Sequence, residues 1–97
     1  MATRVFYRGG RSLVPGIHEV RGDPLTGLLR TTHGVSVYDR PDNLDRFGGA
    51  FQVTALPDTL QIVQRGRDPH HHEIVPTAPM TFDEYAQALS QITLLPA

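Results

Sequence analysis

The sequence predicts an α+β fold, a small, mostly antiparallel sheet of five or six strands with a C-terminal helix packed on it. Three observations predict it. Short runs rich in β-branched and aromatic residues recur along the chain, each closed by a Gly, Pro or Asp turn signal. Near the C-terminus one stretch repeats its apolar residues at helical spacing. Ninety-seven residues allow one core and little more, so these elements must share it. Residues 1–97 are accordingly read as a single domain.

Residues 3–8, TRVFYR, form the first expected strand, with Arg8 at its exit before Gly9-Gly10. Residues 9–27 hold five glycines and two prolines and read as irregular, with at most a short strand at Ile17–Val20. Residues 28–32, LLRTT, close a short helix from Pro24 or form a strand; the helix is preferred. Residues 33–39, HGVSVYD, alternate as a strand with Val35, Val37 and Asp39 on one face and Ser36 and Tyr38 on the other. Residues 40–48 read as a short helix, opened by Pro41, anchored by Leu44 and Phe47, and stopped by Gly48. Residues 50–54 and 59–64 alternate as two strands around the turn Pro57-Asp58. Thr81-Phe82-Asp83-Glu84 is a capping box, followed at helical spacing by Tyr85, Ala86, Leu89 and Ile92.

Composition removes whole classes of chemistry. There is no cysteine, hence no disulfide, thiolate zinc site or cysteine nucleophile. All nine basic residues are Arg, so no Schiff-base lysine exists and every cation is a planar fork suited to carboxylate or phosphate. The net charge of -1 gives no general pull toward nucleic acid. No apolar run approaches membrane-spanning length and MATRVFYRGG lacks a secretory apolar core, so a cytoplasmic setting without membrane contact is expected. Neither a phosphate-binding loop nor a dinucleotide fingerprint is present.

The chemistry concentrates in residues 68–80, DPHHHEIVPTAPM. As a strand, this stretch puts His71, Glu73 and Val75 on one face and His70, His72 and Ile74 on the other. Alternation therefore splits the three histidines, and a metal site is not expected. Ser36, His71 and Glu73 supply a Ser-His-acid inventory. A hydrolase elbow, however, needs Gly-x-Ser-x-Gly at a strand-to-helix turn, and Ser36 lies inside a strand. What remains is an Arg at the end of the first strand, a Ser in a middle strand and a Glu in a late one. Each also has a plain structural reading, as a surface ion-pair partner, a satisfied strand hydroxyl and a solvated strand residue.

That order, Tyr-Arg-Gly, then Ser, then Glu-Ile-Val-Pro, resembles the arginine–serine–glutamate arrangement of ADP-ribosyltransferases. More specifically, GVSVYDR (34–40) and HHHEIVPTAPM (70–80) resemble motifs of the type VI secretion exported effector two toxins, whose fold is ADP-ribosyltransferase-like. The likeness covers roughly residues 4–8 and 34–92. It implies a bacterial toxin that uses NAD to ADP-ribosylate a macromolecular target or hydrolyses NAD. By that likeness Tyr7, Arg8, Ser36 and His71 fall on positions tied to toxicity or an NAD-like cleft; with the needs of nicotinamide–ribose cleavage added, Glu73, Ser36 and His71 are the expected catalytic residues and Arg8, Tyr7 and Tyr38 the expected NAD-binding ones, with no metal expected. A cognate antitoxin or immunity protein is the implied partner. The position of Glu73 need not be acidic in those toxins, so on this point the chain follows the transferase pattern instead. The alternative is a toxin or binding module on the same fold without NAD chemistry, including an RNA-directed one using His71, Arg65 and Arg67.

Overall fold

Alternating apolar residues give this chain six strands that join edge to edge in one antiparallel sheet. The coordinates, a computed structural model, describe residues 4–97. The strands are β1 (Tyr7–Gly9), β2 (Val35–Tyr38), β3 (Ala50–Thr54), β4 (Leu60–Gln64), β5 (His71–Pro76) and β6 (Thr93–Pro96), with helix α1 (Phe82–Leu89) between the last two. The order across the sheet is β4-β5-β2-β1-β3-β6, and every pairing is antiparallel.

Register decides which side chains form the core. Val35 faces Ile74 across β2 and β5, and Ile74 faces Ile62 across β5 and β4. Directly opposed residues share a face. Val35, Val37, Ile74 and Leu60 therefore meet Tyr85, Ala88 and Leu89 of α1 in one cluster, with Ile62 packed at its border. Full burial of each Val, Leu or Ile contributes on the order of 1.5–3 kcal/mol. The same register puts Ser36 opposite Glu73 and Tyr38 opposite His71 on the other face.

Helix α1 starts where its capping box requires. The Thr81 hydroxyl accepts from the Glu84 amide at 3.0 Å, and a Glu84 carboxylate oxygen accepts from the Thr81 amide at 2.9 Å. These bonds hold the Glu84 carboxyl below its ordinary range. The helical spacing runs on to Ile92, but the helix ends at Leu89, and the chain turns back as β6 to pair with β3. That strand is a tertiary effect: TLLP acquires strand geometry by lying along β3.

Elsewhere local chemistry overrides the expected elements. The first strand is shorter than residues 3–8; Thr3 lies outside the described residues, and pairing begins at Tyr7. Ile17–Val20 is a turn, tied by the Glu19 carboxylate accepting from the Gly16 amide. No helix forms over 24–32. The Asp23 carboxylate accepts from the Leu25 and Thr26 amides, a turn that competes with helix, and Leu29 bridges to Gly22 and Met80. Over 40–48 only a 3-10 turn forms, Asp45–Phe47, stopped by Gly48 at φ 98°. Leu44 is buried as expected, whereas Phe47 is half exposed. Strands β3 and β4 flank the turn Pro57-Asp58 but are not neighbours; β5, β2 and β1 lie between them.

Candidate functional site

The site grows from the centre of the sheet, where β5, β2 and β1 lie side by side. Strands β2 and β5 pair over four positions, but β1 and β2 pair at only one, Tyr7 with Tyr38. Past that pair the Ser36 carbonyl is met by a side chain instead of a strand: Arg8 Nη1 donates to it at 2.8 Å. Arg8 Nε donates to the Ser12 carbonyl, and Glu19 stands 3.8 Å from Nη1. A cleft of about 240 Å³ opens here, lined by Arg8, Gly9, Glu19, Ser36, Tyr38 and Phe47. Gly9 is required beside it, because a Cβ there would overlap the Phe47 ring.

Ser36 and His71 meet directly. Ser36 Oγ lies 3.0 Å from His71 Nε2, and His71 Nδ1 lies 2.7 Å from the Arg65 carbonyl. A carbonyl only accepts, so Nδ1 carries the proton of the neutral ring and Nε2 is left to accept from the Ser36 hydroxyl. The Tyr38 ring lies edge-on to the imidazole, centroids 5.6 Å apart. The His71 side chain retains 22% of its exposure.

Glu73 sits behind this pair with only 4% of its side chain exposed. Both carboxylate oxygens are held. Oε1 accepts from the Gly34 amide at 3.0 Å, and Oε2 accepts from Arg65 Nε at 2.9 Å. Oε2 is also 3.8 Å from His71 Nε2. The carboxylate thus faces the histidine as a source of negative field and is already bonded to two donors. Beside it, burial and the charges of Arg65 and Arg21 push the His33 imidazole below its ordinary range.

Tyr85 anchors the floor. Its hydroxyl accepts from the Val35 amide at 3.0 Å and donates to the Ile74 carbonyl at 2.5 Å, bridging β2 and β5. Burial pushes this phenol up to about 12. Gly34 lets the bridge form, since a Cβ there would overlap the Ile74 carbonyl and the Tyr85 hydroxyl.

The structure therefore brings Arg8, Ser36, Tyr38, His71 and Glu73 together. Tyr7 pairs with Tyr38 but lines a different hollow, with Pro41, Gly48 and Gln52. His70 and His72 are occupied elsewhere. His70 Nδ1 is 2.8 Å from Asp39 Oδ1 and its Nε2 meets Arg40. His72 packs on Phe6, and its Nε2 is 3.3 Å from Arg4. Burial alone would raise the Asp39 carboxyl, but the bond to His70 and the charges of His70, His72 and Arg4 hold it below its usual range. Among the described residues no group of three or more His, Asp or Glu side chains is arranged to hold a metal ion.

Gly34 and Tyr85 complete the site without having been singled out in the sequence, and Arg65, expected only as an RNA-contacting residue, completes it as the partner of Glu73. A signal for Arg65 existed. The Asp68-Pro69 turn makes β4 and β5 a hairpin, and Val63 opposite Glu73 brings the chain just beyond β4 over that carboxylate. Tyr85 looked like one more apolar residue of the helix stripe, and nothing in its spacing marks the hydroxyl. Comparison with protein-family models, with curated proteins and with solved structures finds no match to this chain.

Proposed function

We propose that this chain is a bacterial toxin domain of ADP-ribosyltransferase-like fold that acts on NAD, transferring ADP-ribose to a macromolecule or hydrolysing the dinucleotide. The observation that supports this reading is the convergence of Arg8, Ser36 and the His71–Glu73 pair, from three different strands, beside one cleft. Cleavage of the nicotinamide–ribose bond passes through an oxocarbenium-like state, as glycoside cleavage does. The Glu73 carboxylate supplies negative field beside it, Ser36 and His71 offer polar atoms to the ribose, and Tyr38 offers a ring face. The Arg8 fork suits the diphosphate. The cleft is smaller than the roughly 300–1,000 Å³ of pockets that enclose a drug-sized ligand. It would take the nicotinamide end, with the adenosine half lying along the surface. Such a toxin acts in a cytoplasm and requires an antitoxin or immunity protein, for which this cleft is the natural point of blockade.

A second reading, the same fold used as a toxin or binding module without NAD chemistry, is favoured by one observation. Glu73 is buried with both oxygens engaged, which is how a structural carboxylate looks. Inducible expression in bacteria separates the two, with growth and cellular NAD followed together. Under the NAD reading, NAD falls as growth stops, and Arg8→Ala or Ser36→Ala slows purified turnover by about 10²-fold, the order for loss of a transition-state donor. Growth arrest with NAD unchanged would establish the second reading, and turnover indifferent to both substitutions would remove the roles assigned here.

A further inference from the structure

The bonding of His71 carries an activity that the sequence reading set aside for want of a Gly-x-Ser-x-Gly elbow. From the Ser36–His71–Arg65 geometry we infer that Ser36 is an activated nucleophile, with His71 as its general base, able to take an acyl group from a small ester. The inference does not rest on NAD chemistry.

Nucleophilic catalysis by serine needs a base within hydrogen-bond reach, and the base needs a third group to fix its tautomer. Both are present. Ser36 Oγ is 3.0 Å from His71 Nε2, and the Arg65 carbonyl holds the ring proton on Nδ1 at 2.7 Å. The orienting group is thus a backbone oxygen in place of an aspartate. The carboxylate field comes from Glu73 Oε2, 3.8 Å from Nε2, where it favours the imidazolium that forms when the base takes a proton. Arg8 brings a positive group to the same cleft. The guanidinium has five N–H groups, and its bonds to the Ser12 and Ser36 carbonyls use two of them. A developing oxyanion beside Ser36 meets that cation. Glu19 sits against the same guanidinium and is the one opposing charge in the cleft lining.

In the first step Ser36 Oγ attacks the ester carbonyl carbon, forming an O–C bond while its proton passes to His71 Nε2. The tetrahedral oxyanion collapses, the bond to the alcohol oxygen breaks, and the proton on Nε2 goes to that leaving oxygen. In the second step water attacks the acyl-Ser36 and gives a proton to Nε2. The carboxylic acid leaves, and the proton returns to Ser36 Oγ. The cleft volume of about 240 Å³ restricts the acyl group to a small one.

The chain contains three serines, Ser12, Ser36 and Ser90, so the protein carries its own controls. Purified protein is treated with a small fluorophosphonate in the absence of NAD, and adducts are located by peptide mass spectrometry. The expected result is an adduct on Ser36 and none on Ser12 or Ser90. Its rate should fall about 10²-fold in His71→Gln, the order for loss of a general base. The same preparation should release p-nitrophenol from p-nitrophenyl acetate with an initial burst. An unmodified Ser36 in the folded wild-type protein, or labelling as fast in folded His71→Gln, overturns the inference. If His71→Gln does not fold, the wild-type adduct position and the p-nitrophenol burst decide. NAD turnover with no Ser36 adduct would overturn this inference and leave the NAD reading standing; a Ser36 adduct with no NAD turnover would do the reverse.

Discussion

Glu73 and Arg65 form the pair whose disruption says most about the site. The carboxylate is almost wholly buried and bonded to the Gly34 amide and Arg65 Nε, whereas the Arg65 side chain is 46% exposed. The asymmetry predicts that removing the arginine costs more than neutralising the acid. In Arg65→Ala the buried carboxylate keeps one donor and loses its counter-charge. An unpaired buried charge costs about 3–5 kcal/mol, discounted here to about 2–3 because the lost partner was half solvated. In Glu73→Gln the amide oxygen can still accept from Gly34, while the amide nitrogen replaces Oε2 and meets Arg65 Nε donor to donor; the half-solvated arginine can turn to water, so the loss is about 1–2 kcal/mol. For a domain of this size each kcal/mol shifts Tm by about 4–8 °C, so thermal unfolding resolves the difference. The double variant removes the stranded charge and should recover part of what Arg65→Ala loses. If Glu73→Gln proves the more damaging single change, or the double variant is simply additive, the carboxylate is not held as argued. The same variants separate fold from chemistry: a Glu73→Gln protein that is fully folded at the assay temperature but loses turnover assigns the carboxylate to the reaction.

Two further perturbations test the floor of the site. Tyr85→Phe leaves the buried Val35 amide and Ile74 carbonyl without the hydroxyl, costing about 2–3 kcal/mol in urea unfolding at neutral pH. Because the phenol is raised from 10.0 to about 12, its contribution is complete below about pH 10 and is lost as pH rises toward 12. Wild type should weaken across that window by about 1.4 kcal/mol per unit because burial raises the phenol, and the phenylalanine variant should lack this component; equal alkaline slopes would refute the burial of the hydroxyl. Gly34→Ala forces a methyl into the Ile74 carbonyl and the Tyr85 hydroxyl and should destabilise by more than about 3 kcal/mol. A soluble alanine variant with wild-type Tm would show that β2 and β5 are not this close.

Strand alternation was enough to place Ser36 beside Tyr38 and His71 beside Glu73 on single faces, and the register confirms both groupings on one side of the sheet. The capping box at Thr81 was equally legible, because both of its bonds are made within four residues. What failed was decided by groups far away or by side chains competing with the backbone. The Asp23 carboxylate takes amides that a helix over 24–32 would have used. TLLP becomes β6 only because β3 lies beside it. The engagement of Glu73 was illegible for the same reason. Its donors come from the residue before β2 and from the turn after β4, and no local pattern announces either.

The histidine run divides between two kinds of donor. All three rings share a bonding scheme. Each Nδ1 lies against an oxygen, from Asp39, the Arg65 carbonyl and the His70 carbonyl in turn. Each Nε2 is left to accept, from Arg40, Ser36 and Arg4 respectively. The scheme gives the three rings the same arrangement, with Nδ1 turned to an oxygen and Nε2 to a donor. The difference lies in the donor. An arginine holds its proton throughout the accessible pH range, so a histidine facing one has no proton to take. A serine hydroxyl facing the same nitrogen carries a proton that a base can take when its oxygen bonds to an electrophile. His70 and His72 therefore tie strand ends to arginines, and His71 alone has a partner on which a base can act.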